Sequence, residues 1–351
     1  MDELVAQLIA HRCLSQAEWE ALLARRHQLD REALFALARA EREKWFGNRI
    51  YIRGLIECTN YCRSNCYYCG IRRDNRALTR YRLSKETILD RCEKGYAWGF
   101  RTFVLQGGED GAFTADFVAD VVSEITRRYP DCAVTLSLGE WEEAVYRLWY
   151  EAGARRYLLR HETADEAHFR LLHPPSQTLA HRLECLHALK SIGYQVGAGF
   201  MVGSPGQSEK TLAKDFCLFQ AFKPEMVGIG PFLLQKDTPL GGEAPGSLED
   251  TLLYLALIRL TLPAVLLPAT TALATLHPQG RRLGFLAGAN VVMPNLSPPA
   301  VRGNYALYDG KASSGAEAAE HLAALREELS PLGLTIAIDR GDAPQSPDMT
   351  H

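Results

Sequence analysis

Between residues 50 and 293 the sequence holds eight short β-rich runs, each separated from the next by a segment with helical spacing. The expected strands are 50–56, 102–105, 133–136, 156–159, 195–202, 226–229, 265–267 and 290–293. Helical patterns fall between them at 85–95, 114–129, 141–152, 180–192, 209–222, 248–260 and 281–288. Strands joined through helices have to pair in parallel, because each crossover returns the chain to the same edge of the sheet. Eight such units in about 250 residues predict an α/β fold, a closed (β/α)8 barrel of the TIM type. An open, doubly wound sheet is the alternative that the alternation allows.

The barrel is expected to occupy residues 49–311. Residues 1–48 form a helical N-terminal extension, in which Ser15 and Glu18 have the spacing of a capping box. A short C-terminal extension, 312–340, carries a helix at 315–329 and a strand at 334–338, and the proline-containing tail 341–351 is expected to be disordered. Hydrophobic residues make up 47% of the 351, enough for one large core, and a net charge of −3 argues against bulk nucleic-acid binding. The longest apolar stretch, 252–276, is interrupted by Arg259, Pro263 and Pro268, so it reads as a buried helix followed by a buried strand rather than a membrane span. With an acidic start, Met1-Asp2-Glu3, the chain is expected to be cytoplasmic.

Of nine cysteines, Cys58, Cys62, Cys66 and Cys69 are clustered, while Cys13, Cys92, Cys132, Cys185 and Cys217 are scattered. Clustered thiols in a reducing compartment read as metal ligands. Cys62, Cys66 and Cys69 have a C-x3-C-x2-C spacing directly after the first barrel strand, where three soft thiolates can each reach a different iron of a cubane. Three ligands for four irons leave one iron open, as a catalytic metal requires. With Cys58 added, the group could instead close a tetrahedral zinc site or a fully ligated electron-transfer cluster. Cys58 lies in the strand end and is treated as a non-ligand.

The cysteine spacing, with Tyr68 just before the last ligand, resembles the radical S-adenosylmethionine (SAM) enzymes. The resemblance implies one [4Fe–4S] cluster held by Cys62, Cys66 and Cys69, whose open iron chelates SAM. Reductive cleavage then gives methionine and a 5′-deoxyadenosyl radical. Barrel enzymes place chemistry at the C-terminal ends of their strands. There the sequence offers Gln106-Gly107-Gly108-Glu109, similar to the element that receives the methionine amino group, and Ser137 after the third strand. Arg160-His161-Glu162-Thr163 follows the fourth, and Arg182 on the next helix is expected to pair with Glu162 or with the SAM carboxylate, unless the pair is purely structural. Met201 and Ile229 fall on the fifth and sixth strands, the latter resembling the family's adenine-contacting strand.

Further strings narrow the resemblance to the HydE branch, the maturases of [FeFe]-hydrogenase. They include Cys69-Gly-Ile-Arg-Arg-Asp-Asn75, Tyr157-Leu-Leu-Arg-His-Glu-Thr-Ala164, Met201-Val-Gly-Ser-Pro-Gly-Gln207 and Gly288-Ala-Asn-Val-Val-Met-Pro-Asn295, and the likeness extends over residues 45–311. It implies a role in assembling the di-iron subcluster, on a small iron complex bearing CO, cyanide and cysteine. Arg53, Gln106, Arg160, Thr270, Thr271, Met293 and Tyr305 would line the substrate cavity. Some members carry a second cysteine group near the C-terminus; no cysteine follows Cys217, so a second cluster is not expected. The alternatives are a related amino-acid mutase resembling methylornithine synthase and a metal-binding scaffold that catalyses nothing. Arg72, Arg73, Arg76, Arg80, Arg82 and Lys85 form a basic stretch beside the cysteines. It is either a solvated loop or a docking face for an acidic electron donor such as a ferredoxin or flavodoxin. Other hydrogenase maturases are further candidate partners.

Overall fold

The computed structural model describes residues 2–311 and 318–344. Six parallel strands run in sequence order around most of the barrel: Gly54–Thr59, Thr102–Gly107, Ala133–Ser137, Ala154–Leu158, Gln195–Ala198 and Met226–Val227. Single parallel bridges then link Met226 to Leu266 and Pro268 to Val291. Val291–Val292 pairs with Arg49–Ile52, which leads through Arg53 into the first of the six strands. The ring is therefore closed, with eight staves. The seventh, expected at 265–267, contributes bridges only; Pro263 and Pro268 on its flanks remove amide donors that a longer ladder would need. The expected strand 195–202 likewise breaks at Gly199 and resumes as Met201–Val202, paired with Gly230–Pro231 beyond the end of 226–227.

The helices pack outside, close to their expected positions. Helix 209–222 is observed as Glu209–Phe222 and 248–260 as Leu248–Thr261, the latter buried almost all round. Three short helices were not anticipated: Glu166–Leu172, Thr271–Leu276 and Pro299–Arg302. The N-terminal extension is three helices, Glu3–His11, Gln16–Ala24 and Arg31–Phe46. Ser15 and Glu18 form the expected capping box, which starts the second of them. Gln16–Ala24 packs on Glu209–Phe222, with the Trp19 ring stacked on Phe216 at 4.2 Å.

At the C-terminal end, helix Ala318–Leu329 and strand Thr335–Ala337 follow; residues 315–317 of the expected helix lie outside the described residues. The strand pairs with Arg49–Tyr51. The tail does not become disordered at Gly341, as expected: Gly341 is buried against Tyr51, and Asp342 pairs with the wholly buried Arg156 inside the barrel floor. A buried guanidinium needs a partner, and the tail supplies one. Residues 345–351 lie outside the described residues. Among the described residues no helix is long and apolar enough to cross a membrane.

Candidate active site

The loop carrying the cysteines leaves the first strand at Thr59 and has no ladder to satisfy its carbonyls. Arg80 takes that role: its guanidinium donates to the carbonyl oxygens of Ile71 (2.9 Å), Arg72 (2.7 Å), Asn75 (3.0 Å) and Asn60. Asn60 in turn donates to the carbonyls of Thr79 (2.9 Å) and Asn304 (2.7 Å). The loop is thereby clamped between its own return strand and the segment after the eighth stave. Close packing leaves no room for side chains at two points. A Cβ at Gly108 would overlap the Tyr61 carbonyl, and one at Gly70 would overlap that of Ala306.

Cys62, Cys66 and Cys69 are half-buried and face one cavity of about 350 Å³. Burial raises all three thiol pKa values, Cys69 to about 12, and for Cys66 and Cys69 the neighbouring sulfurs add to the rise. Such thiols become thiolates only against a strong positive charge, which is what an iron cluster brings. Among the described residues no three Cys, His, Asp or Glu side chains converge on the position of a single ion. Cys58 points away into the apolar core, its thiol donating to the Ile56 carbonyl (3.4 Å), so the donor set at the cavity is three sulfurs.

The cavity also receives Tyr68, Gln106, Gly107, Gly108, Glu109, Ser137, Arg160, Glu162, Arg182, Met201, Thr270, Thr271, Met293 and Tyr305, all anticipated from the sequence. Two expected residues are not brought to it. Ile229 is fully buried in the core, and the flanking Gly228 and Gly230 line the wall instead, as alternation along an extended segment requires. Arg53 lies below the cavity floor, donating to Met226 Sδ (2.9 Å).

Ion pairs set the cavity's electrostatics. Arg182 is buried and donates to the Arg160 carbonyl (2.6 Å); of the partners expected for it, Glu162 is not the one observed, and it forms an Arg–Glu pair with Glu140 instead. Burial pulls the Arg182 pKa down, but the Glu140 carboxylate outweighs it and leaves the guanidinium firmly charged. Glu162 pairs with Arg160 (3.0 Å) from a left-handed backbone, φ +66°. That conformation costs a non-glycine residue about 1–2 kcal/mol. Glu109 already accepts from Arg63 Nε (3.0 Å), Ser64 Oγ (2.8 Å) and the Glu140 amide (3.1 Å), leaving roughly one of its four lone-pair positions free.

Sequence reasoning missed Glu57 and Lys311, which line the same cavity as an ion pair. Asn295 supports the Glu57 carboxylate from the other side (2.9 Å). Glu57 was accessible from period two, since Leu55 and Glu57 share the inward face of the first strand. Lys311 carried no such signal, being 254 residues away in sequence. The expected basic docking face is narrower than six residues. Arg80 is taken up by loop carbonyls, Arg82 by Asp110 (2.6 Å), Lys85 by Asp120 (2.6 Å) and Arg73 by Asp74 (3.0 Å).

Residues 56–216 match the family model of the radical SAM superfamily. The chain is 48% identical over 280 residues to the [FeFe] hydrogenase maturase subunit HydE of Thermotoga maritima, covering 80% of each chain. It is 29% identical over 311 residues to the 3-methylornithine synthase of Methanosarcina acetivorans, covering 88% of this chain and 87% of that one. Among solved structures, methylornithine synthase matches with a TM-score of 0.81 and 26% identity, over 95% of this chain and 97% of that one.

Proposed function

Because the chain belongs to the radical SAM superfamily, and within it is a homologue of HydE, we propose that it cleaves SAM in the maturation of the [FeFe]-hydrogenase di-iron subcluster, with a [4Fe–4S] cluster on Cys62, Cys66 and Cys69. The observation that carries this reading is one cavity shared by three cysteine side chains and by Arg160, Thr270, Thr271, Met293 and Tyr305. Cys62, Cys66 and Cys69 would hold the cluster, which would supply the single electron needed to split the sulfonium into methionine and a 5′-deoxyadenosyl radical. The protein's own side chains bind, orient and exclude water.

In this reading Tyr68, Gly107, Gly108, Glu109, Ser137, Glu162, Arg182 and Met201 take the nucleotide. The remaining acceptor position on Glu109 suits the SAM ammonium, and the bare backbone at Gly228 and Gly230 admits the adenine that Ile229 was expected to meet. The substrate is a small anionic iron complex. What supports an anion is a pair of cavity-lining donors without hydrogen-bond partners among the described residues, Arg160 Nε and Thr270 Oγ1. Unmet buried donors cost about 1–3 kcal/mol each, a cost that an anionic ligand would offset. Arg160 and Thr270 therefore meet the substrate directly, with Gln106 in the wall beside Tyr305 (3.4 Å), while Arg53, below the floor, does not reach it.

The electron donor is an acidic protein such as a ferredoxin or flavodoxin, docking in the cytoplasm on Arg72 and Arg76, which form no ion pair among the described residues. Replacing Arg72 and Arg76 by Glu should slow SAM cleavage driven by flavodoxin and leave cleavage driven by dithionite unchanged. Anaerobic reconstitution tests the central reading. It should give about four iron and four sulfide per chain and, with reductant and SAM, 5′-deoxyadenosine. Stoichiometric zinc without iron–sulfur absorbance would refute it, and turnover of lysine derivatives would move it to the mutase.

A further inference from the structure

Of the four polar residues after the fourth strand, the proposed chemistry uses Arg160 and Glu162 and leaves His161 and Thr163, of which His161 carries a buried ionisable partner. His161 and Asp215, on helix Glu209–Phe222, are both wholly buried, and neither lines the cavity. The Gly199 amide donates to His161 Nδ1 (3.2 Å), so the ring proton is on Nε2, aimed at Asp215 Oδ1 (3.1 Å). The same carboxylate oxygen accepts from the Ala164 amide (2.6 Å), and the Glu162 amide donates to the Gly199 carbonyl (2.9 Å). These bonds form a closed circuit that grips the backbone on both sides of Glu162, the residue with the left-handed φ of +66°. A non-glycine residue stays in that region only where its surroundings over-determine it. The circuit does so from behind, while the Glu162 carboxylate faces the cavity beside Arg160.

We propose that His161 and Asp215 are a positioning pair for SAM binding: they fix the backbone that presents the Glu162 carboxylate to the nucleotide, and act only through Glu162. This role rests on the reading that Glu162 contacts SAM. Apolar packing alone would be served better by two hydrocarbons, since a buried carboxylate with one unpartnered oxygen, Asp215 Oδ2, is costly. The amide of Asp215→Asn retains the oxygen that both donors use. Asp215→Ala removes it and leaves the His161 and Ala164 N–H groups unmet.

The test uses the anaerobically reconstituted full-length protein. Iron and sulfide content and the EPR spectrum of the reduced cluster are measured first, then the SAM concentration that half-saturates the SAM-induced change in that spectrum. Asp215→Ala should keep wild-type cluster content and raise the half-saturating concentration about tenfold. Saturating SAM should restore its cleavage rate to within about threefold of wild type, and Asp215→Asn should stay within about twofold on both measures. In a Glu162→Gln background, Asp215→Ala should add nothing, because both changes remove the same contact. Wild-type affinity in Asp215→Ala, an Asn variant as impaired as Ala, or additive losses in the double variant would each overturn the proposal. If Asp215→Ala does not fold, His161→Leu against His161→Gln makes the same comparison, since only the glutamine amide can serve both partners. A wild-type protein whose spectrum ignores SAM would defeat the functional reading itself, a result distinct from a responsive wild type with unimpaired variants.

Discussion

A half-buried thiol makes a poor ligand until a metal draws off its proton, and that fact separates four neighbouring cysteines into two kinds. Cys62, Cys66 and Cys69 open onto a cavity; Cys58 is enclosed by hydrocarbon. Replacing any of the first three by Ala should abolish both cluster content and SAM cleavage. Cys58→Ala should keep them and lower stability by about 1–2 kcal/mol through the small cavity it leaves. Iron analysis and chemical denaturation measure the two effects, and loss of iron in Cys58→Ala would mean that the ligand set is drawn wrongly. The triad was legible because spacing in one loop is a local property. Arg182 was legible only as a cavity residue, because its partner Glu140 is set by packing between the third and fourth crossovers. A second residue-scale outcome concerns His173, whose imidazole donates to the Phe169 carbonyl (3.0 Å) and contacts Tyr68. Burial, helped by the Arg182 charge, lowers its pKa from 6.5 to about 3. Between those values the unfolded chain binds the extra proton and the folded one does not. Stability contributed by the uncharged ring is therefore complete above pH 6.5 and lost as pH falls towards 3, by up to ~1.4 kcal/mol per pH unit. Urea midpoints at pH 7.5 and pH 5 should differ less in His173→Gln than in wild type; an unchanged difference would assign the acid sensitivity elsewhere.

At the scale of elements, the site depends on two loops meeting at van der Waals distance. The cysteine loop approaches the Gly107-Gly108 turn on one side and residues 304–307 on the other, through the Gly70 amide and the Leu307 carbonyl (2.9 Å). Gly108→Ala should push the loop back at Cys62, whose Cβ would lie 2.7 Å from the added methyl. We expect iron content after reconstitution to fall by more than about half, with far-UV circular dichroism unchanged, because the strained contact is local. Full iron content in that variant would show that the loop can yield. The alternation was readable since most of the helices have their own apolar face and Leu248–Thr261, buried almost all round, is a long apolar run between polar flanks. What escaped were elements of one or two turns, such as Glu166–Leu172, and the truncated seventh stave, where prolines and bridges to neighbours distant in sequence decide the length. The Glu57–Lys311 pair escaped for the same reason, as closure of the ring brings its two partners together.

For the whole molecule, the barrel is open to ligands at one end and closed by charge at the other. Arg53 and Arg156 both face the interior of the floor, and burial depresses both guanidinium pKa values, Arg53 the more strongly. Asp342, arriving from the far end of the chain, is the carboxylate that pairs with Arg156 and moderates the repulsion between the two cations. Arg156 also donates to Thr102 Oγ1 (3.0 Å) and to the Arg340 carbonyl (2.6 Å), so removing the carboxylate strips charge compensation while leaving hydrogen bonds in place. Breaking a buried pair costs about 3–5 kcal/mol. Asp342 is partly exposed, at 39%, and solvent screening reduces the expected loss for Asp342→Ala to about 2 kcal/mol. The urea midpoint should fall accordingly with an unchanged slope, while reconstituted Asp342→Ala should bind iron and cleave SAM as wild type does, because the cysteine loop is at the opposite end of the staves. Arg156→Met in the Asp342→Ala background should recover part of the loss, since it removes the uncompensated cation. If the double variant were instead less stable than Asp342→Ala by a further full increment, the floor would be held by the guanidinium's hydrogen bonds rather than by the charge that the C-terminal segment brings to it.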